Sequence, residues 1–205
     1  MKKKMKVWKF AVVFVWMVLV AGGVSFAEDQ KMSPDEQQAQ MEKMKALMAP
    51  GVSHKALEAF AGKWNYTSQF WMSPESKPEE TTGAAEHTMI YGGRFLKQDV
   101  KGTWMGEPFE GMGITGYDTI RGQYQTLWVD SMATGMMWVS GKYDAATQTL
   151  NQAGANSCPL TGEKNRQGHS EWKVTDTDHN TYTASLAGPD GKEFKAMQIR
   201  YERVK

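Results

Sequence analysis

The pattern of apolar and polar positions changes twice along the chain. Residues 10–20 form an almost unbroken apolar run, and residues 28–50 are mostly polar. From Gly62 onwards β-branched and aromatic residues become frequent, and turn residues recur at intervals of about ten positions, as expected for short strands. The pattern therefore predicts a leader, a helical segment (28–52) and a β domain (53–205).

The helical segment carries signals for both of its ends. Residues 33–36 read Ser-Pro-Asp-Glu, with serine as N-cap, proline at the first helical position and glutamate placed for a capping box. Pro50-Gly51 predicts the end of the helix. A methionine stripe at helical spacing lies between them and favours a packing face over a Cu(I) site; its members are Met41, Met44 and Met48. A second short helix is predicted over residues 53–60, with Ser53 as its cap.

Ten segments downstream have the composition of β-strands. No helical pattern separates them, which excludes a parallel sheet. Closure into a barrel removes the two exposed edges, and an open sandwich is the alternative. We therefore expect an all-β fold, a roughly ten-stranded antiparallel barrel preceded by one or two N-terminal helices. The predicted strands lie near residues 63–72, 81–91, 94–104, 109–117, 122–131, 136–143, 148–156, 165–175, 181–187 and 193–204.

The leader has the three parts of a secretory signal peptide. Five lysines surround its start, the apolar run Phe10 to Val20 follows, and Ser25-Phe26-Ala27 places small residues before a cut at Glu28. The run is shorter than the roughly 20 residues of a spanning helix, so cleavage is favoured over an uncleaved anchor. We expect removal of residues 1–27 and a periplasmic or secreted protein without a stable membrane span.

Charge and cysteine content narrow the expected partners. Loss of the five leader lysines turns the net charge of +1 into −4, which argues against a nucleic-acid partner. Cys158 is the only cysteine, so the fold must stand without an intrachain disulfide. The pattern does not specify an oligomeric state.

Motifs for catalysis or metal binding are weak. Residues 111–116 match G-x-G-x-x-G, but a strand rather than a helix follows, so we reject a dinucleotide site. No G-x-S-x-G element is present. The four histidines are not paired at ligand spacing, although His87 and His169 lie on predicted strands; the other two are His54 and His179. The sequence therefore identifies no catalytic residue, no metal ligand and no cofactor.

Several motifs, in order, resemble the bacterial domain-of-unknown-function 1579 family over about residues 50–204. They are Pro50 to Leu57 with Gly62-Lys63-Trp64, Gly92 to Leu96, Pro108 to Gly111, Gly116-Tyr117-Asp118, Tyr124 with Trp128 and Asp130, Pro189 to Glu193, and Tyr201-Glu202-Arg203. The resemblance implies a calycin-like barrel, similar in outline to lipocalins and fatty-acid-binding proteins, and no established reaction. The Gly62-x-Trp64 element also resembles the start of lipocalin barrels, which implies a tryptophan at the barrel base under Arg200 or Arg203.

The candidate binding residues lie within these motifs. Alternation places Tyr124, Thr126, Trp128 and Asp130 on one face of the fifth strand. Together with Arg94, this face would suit a small, mostly apolar ligand with one polar end. A structural Arg–Asp pair with aromatic packing fits equally well.

Glycines at 102, 111, 113 and 116 indicate either tight bends or space left inside the barrel. The leading hypothesis is an exported ligand-binding barrel. The alternatives are a hydrolase or isomerase that uses the same cavity, and a structural or interaction barrel with a filled core.

Overall fold

The computed structural model of the protein describes residues 32–158, 162–188 and 190–205. The predicted leader and its cleavage site lie outside the described residues. Within the described part of the chain, no helix is both long and apolar enough to cross a bilayer.

Three helical segments precede the strands. The first, α1, spans Pro34–Met48 and is followed by α2 (Val52–Lys55) and a short 3-10 helix, η1 (Ala56–Phe60). The capping box is formed as predicted, because the Ser33 N–H and hydroxyl donate to the Glu36 carboxylate and the Glu36 N–H donates to the Ser33 hydroxyl. These bonds lower the pKa of Glu36.

The start of α2 differs from the prediction. Its N-cap is Gly51 rather than Ser53, and the Gly51 N–H donates to Nδ1 of His54 at 3.0 Å. The imidazole at N3 therefore accepts the N–H of the N-cap residue, which is the role that a glutamate or glutamine at N3 plays in a capping box.

The ten strands form one antiparallel sheet that closes into a barrel. Each strand pairs with its neighbours in sequence, and the last strand closes the sheet by pairing with the first. The all-β barrel prediction is confirmed. The strands are β1 (Gly62–Phe70), β2 (Glu79–Ile90), β3 (Phe95–Trp104), β4 (Glu107–Asp118), β5 (Gln123–Asp130), β6 (Met137–Asp144), β7 (Thr149–Asn156), β8 (Arg166–Val174), β9 (His179–Ala187) and β10 (Glu193–Arg203).

One end of the barrel, which we call the capped end, is covered by α2 and η1. Leu57 and Phe60 of η1 are fully buried there, and the Phe60 ring contacts the Trp172 ring with centroids 4.3 Å apart. They join a core cluster with Leu96, Tyr124 and Leu150. The opposite end, the mouth end, is formed by the connections after β1, β3, β5, β7 and β9.

A tryptophan and an arginine close the base of the capped end. Trp64 is 1 % exposed and donates its indole N–H to the Phe60 carbonyl. The guanidinium of Arg203 lies 4.1 Å from the Trp64 ring centroid and donates to the Ala61 carbonyl. Gly62 has a φ of +138°, and a Cβ there would overlap this guanidinium. Of the two arginines that the lipocalin resemblance named, Arg203 makes this contact, and it is structural.

Candidate functional site

The mouth half of the barrel is packed less tightly than the capped half. Inward-facing side chains near the cap are buried, whereas those towards the mouth retain accessible surface. A second core cluster, built on Trp64, Tyr66, Val100 and Tyr201, ends in half-buried apolar residues; these are Phe109, Trp128, Tyr182 and Ile199. The candidate site therefore lies in the mouth half.

Trp128 lies on the inward face of β5, as alternation predicts. Its indole N–H donates to Oδ2 of Asp130 at 2.9 Å. The other carboxylate oxygen of Asp130 accepts the backbone N–H groups of Met132 and Ala133 at 2.9 and 3.0 Å. Both oxygens are therefore engaged in holding the indole and the turn after β5, which is the typical role of an aspartate at a strand end.

The strand glycines are occupied by aromatic rings rather than by empty space. A Cβ on Gly111 or Gly113 would meet the Trp128 ring, and one on Gly83 or Gly102 would meet the Tyr66 phenol. These glycines thus receive rings from other strands, and they do not leave free volume for a ligand in the described structure.

A chain of polar side chains crosses the middle of the barrel. Gln98 donates to the Thr115 hydroxyl, which shares a 2.8 Å hydrogen bond with Thr126, and Thr126 donates to Oε1 of Gln152 at 3.0 Å. Gln152 is 6 % exposed, and its Nε2 has no partner among the described residues. A buried amide N–H without an acceptor lowers the stability of the folded state. The Nε2 of Gln152 therefore needs an acceptor from a water molecule or a ligand.

Three tyrosines approach the same level from the other side of the barrel. Burial raises the pKa of Tyr66, Tyr182 and Tyr201, so all three are neutral phenols at ordinary pH. Tyr182 lies deep among the barrel strands, yet its side chain retains accessible surface. Tyr182 therefore lies where the buried core passes into the less tightly packed mouth half.

Arg94 and Tyr124 lie at the capped end, away from Trp128 and Asp130. The Arg94 guanidinium donates to the backbone carbonyls of Tyr91 and Met48, and the Tyr124 hydroxyl donates to the Ser53 carbonyl. Tyr124 and Asp130 are also six residues apart on one strand, or roughly 20 Å. The four predicted site residues therefore do not converge on one point.

The histidines have different surroundings. His87 is 2 % exposed, its Nδ1 lies 3.0 Å from the Phe60 carbonyl, and its Nε2 has no hydrogen-bond partner in the described structure. Burial lowers the pKa of His87 to about 4. His169 and His179 instead lie at the surface, each beside a carboxylate. Nowhere in residues 32–158, 162–188 and 190–205 do three or more His, Cys, Asp or Glu side chains gather closely enough to hold a metal ion.

Two depressions occur on the outer wall. The larger, of about 760 Å³, lies over β1, β2 and β10 and includes Thr67, Thr82 and Arg200. The smaller, of about 330 Å³, lies over β3, β4 and β5 beside Val129. Neither is lined by Trp128, Tyr182 or Gln152, so neither belongs to the candidate site.

The sequence also matches a family model. The model is that of DUF1579, described as a protein of unknown function, and it matches residues 49–203. The chain belongs to the DUF1579 family. The match covers η1 and all ten strands. The family model therefore spans the whole barrel of this DUF1579 protein, including its mouth half. A comparison with curated proteins gave no match.

Solved structures resemble this DUF1579 barrel in fold. The crystal structure of Rv2717c from M. tuberculosis is 13 % identical, with a TM-score of 0.55, and the match covers 77 % of this chain and all of that one. A redesigned β-barrel matches with 13 % identity, a TM-score of 0.38, 76 % of this chain and all of its own. A conserved protein of unknown function with a hot dog fold, from Alicyclobacillus acidocaldarius, has 10 % identity, a TM-score of 0.20 and coverages of 75 % and 85 %. Only the first likeness bears on the fold, and it says nothing of a ligand.

Proposed function

We propose that the protein is an exported binding protein that holds one small, mostly apolar molecule in the mouth half of the barrel. The main support is the buried Nε2 of Gln152, which has no hydrogen-bond partner among the described residues, together with the half-buried aromatic side chains of the second core cluster. Apolar walls with few convergent polar groups are the usual composition of small-molecule sites. A ligand that occupies this space would offer an acceptor to Gln152 and an apolar surface to Trp128.

This proposal revises the set of binding residues. Trp128 remains as a wall residue, and Asp130 supports it through the indole hydrogen bond. Arg94 and Tyr124 serve the capped end. Gln152 and Tyr182 take their places because both face the interior of the barrel. No chemical step is part of the proposal.

The test is binding of the neutral apolar dye N-phenyl-naphthylamine. We expect wild-type protein to bind the dye with enhanced dye emission and energy transfer from tryptophan, and Trp128→Phe to lose most of that transfer. Trp138→Phe is the matched control. Trp138 lies on the outer face of β6 and is 54 % exposed, so it is outside the proposed site. Gln152→Leu should bind the dye at least as well, since this dye offers almost no acceptor to the NH₂ group of Gln152.

Failure of the wild-type protein to bind the dye would contradict the proposal. Equal loss of energy transfer in Trp128→Phe and Trp138→Phe would place the dye outside the mouth half and would also contradict it. Native mass spectrometry of protein purified from the exported fraction would then identify the natural ligand of a protein that passed this test.

A further inference from the structure

Arg166 is a charged side chain at the rim of the mouth half. It is the first residue of β8, and alternation places it on the same face as the buried Ser170 and Trp172. Its Nε and Nη2 donate to the Ala187 carbonyl at 2.9 and 2.7 Å, and its guanidinium lies 5.7 Å from the Phe194 ring centroid. Its Nη1 also donates to Sγ of Cys158 at 3.7 Å. The side chain is thus fixed in orientation by three hydrogen bonds and an aromatic face.

The positive charge of Arg166 has no ion-pair partner within 4.0 Å among the described residues. Every ion pair within 4.0 Å among the described residues joins other side chains. Asp130, the acid on the inward face of β5, has both oxygens engaged by the indole and the turn. The inner surface of the mouth half therefore carries an arginine charge beside apolar walls, with Leu186 and Phe194 as neighbours on the same face.

The strand beside Arg166 supplies a second, independent observation. Asn156 of β7 is the direct cross-strand partner of Arg166, and its buried Oδ1 has no hydrogen-bond partner in the described structure. Gln152, also unpartnered and more than nine-tenths buried, lies on the same face of β7. An amide side chain can present either its oxygen or its NH₂ group, so Asn156 can donate to an anion held by Arg166.

We infer that Arg166 binds the anionic end of an amphiphilic ligand, a carboxylate attached to an apolar chain, and that the chain extends along the walls of the mouth half. The inference rests on the proposed function and names its ligand class. A guanidinium pairs with a carboxylate through charge-assisted hydrogen bonds, which are stronger than neutral ones. Its position at the rim lets the charged end remain partly hydrated while the chain leaves water.

The experiment compares decanoate with decanol, which share the chain and differ in the charged end. Each displaces N-phenyl-naphthylamine from wild-type protein, Arg166→Gln and Arg200→Gln. We expect Arg166→Gln to weaken decanoate roughly tenfold or more, with decanol unchanged, since a hydrogen bond to a charged group is worth about 1.5–3 kcal/mol. Arg200→Gln removes the same charge from the exposed outer wall and should change neither affinity.

The outcomes separate the two proposals. If wild-type protein binds neither the dye nor decanol, the proposed function fails. If the dye and decanol bind but Arg166→Gln leaves decanoate unchanged, the inference about Arg166 is overturned and the proposed function stands. Dye binding by Arg166→Gln also reports that the variant is folded. If Arg166→Gln does not fold, the salt dependence of binding to the wild-type protein provides the test. Raising the ionic strength is expected to weaken the binding of decanoate and not that of decanol, and an equal response of the two affinities overturns the inference.

Discussion

At the scale of single residues, the buried imidazole of His87 makes the stability of the capped half depend on pH. The ring is packed among Trp64, Trp172 and Tyr201, with centroid separations of 6.4, 5.4 and 5.6 Å. Its Nδ1 donates to the Phe60 carbonyl, which leaves Nε2 as a bare acceptor in an aromatic environment. Charging this ring inside the barrel is unfavourable, because burial removes the imidazolium from water.

We therefore predict that the free energy of unfolding falls as the solution is acidified. The folded-state pKa of His87 is about 4, below the ordinary histidine pKa of 6.5, so its contribution to the free energy of unfolding is complete above about pH 6.5 and is lost as pH falls towards 4. The loss amounts to about 3 kcal/mol. Urea unfolding of wild-type protein and His87→Gln across this range measures it, because the variant retains the carboxylate titrations. Parallel curves for the two proteins would contradict the assignment.

Two arginines show, at the residue scale, what the sequence pattern could and could not indicate. The motifs led to Arg94, but its guanidinium is bound to two backbone carbonyls. Arg166 lies at the start of a strand in which every second residue points inward. That alternation was the sequence signal that could have placed Arg166 on the inner face. It could not reveal that Arg166 has no ion-pair partner in the described part of the chain, since pairing depends on which strands become neighbours.

At the scale of elements, the strand positions were predicted to within a few residues at each end. The turn residues and the change in hydrophobic period were sufficient to predict the strand ends, because the residues of each turn determine where a short antiparallel strand begins and ends. The glycines within the strands were harder to interpret. Their partners are rings on other strands, and a single strand does not specify the ring that will lie over its glycine.

We predict that Gly111→Ala destabilises the barrel through the pairing of β4 with β5. A Cβ at Gly111 would overlap the Trp128 ring, and overpacking of this kind costs about 1–3 kcal/mol. Gly135→Ala is the matched control, because a Cβ there would meet no atom within 4 Å. Thermal or urea unfolding measures both. In a Trp128→Ala background the penalty at Gly111 should largely disappear, and equal stability of the two single variants would contradict the contact.

The helix α1 shows the limit of periodicity at this scale. Its bounds and cap were predicted correctly, but its methionine stripe does not pack into a core. Met41, Met44 and Met48 are 49 %, 47 % and 64 % exposed. Helical spacing of apolar residues defines a face, and whether that face finds a partner is a tertiary property.

At the scale of the whole molecule, the barrel is divided across its length into two environments. The cap, the Trp64–Arg203 contact and the first core cluster fill one half. The polar chain from Gln98 to Gln152 separates that half from the more open mouth. The filled-barrel alternative thus describes the capped half, and the binding proposal concerns the other. The sequence specified the closed barrel, whereas this division depends on contacts between distant strands.

The whole molecule also includes the leader, which sets our last prediction. Signal peptidase accepts small residues at the position before the cut, and Ala27 occupies it, so the mature protein should begin Glu28-Asp29-Gln30. N-terminal sequencing of protein recovered from the periplasmic or secreted fraction measures this. Ala27→Leu should block processing because its side chain is too large for that position, whereas Gln30→Leu, beyond the cut, should be processed normally. Recovery of wild-type protein with Met1 intact in the membrane fraction would show that the apolar run acts as an anchor.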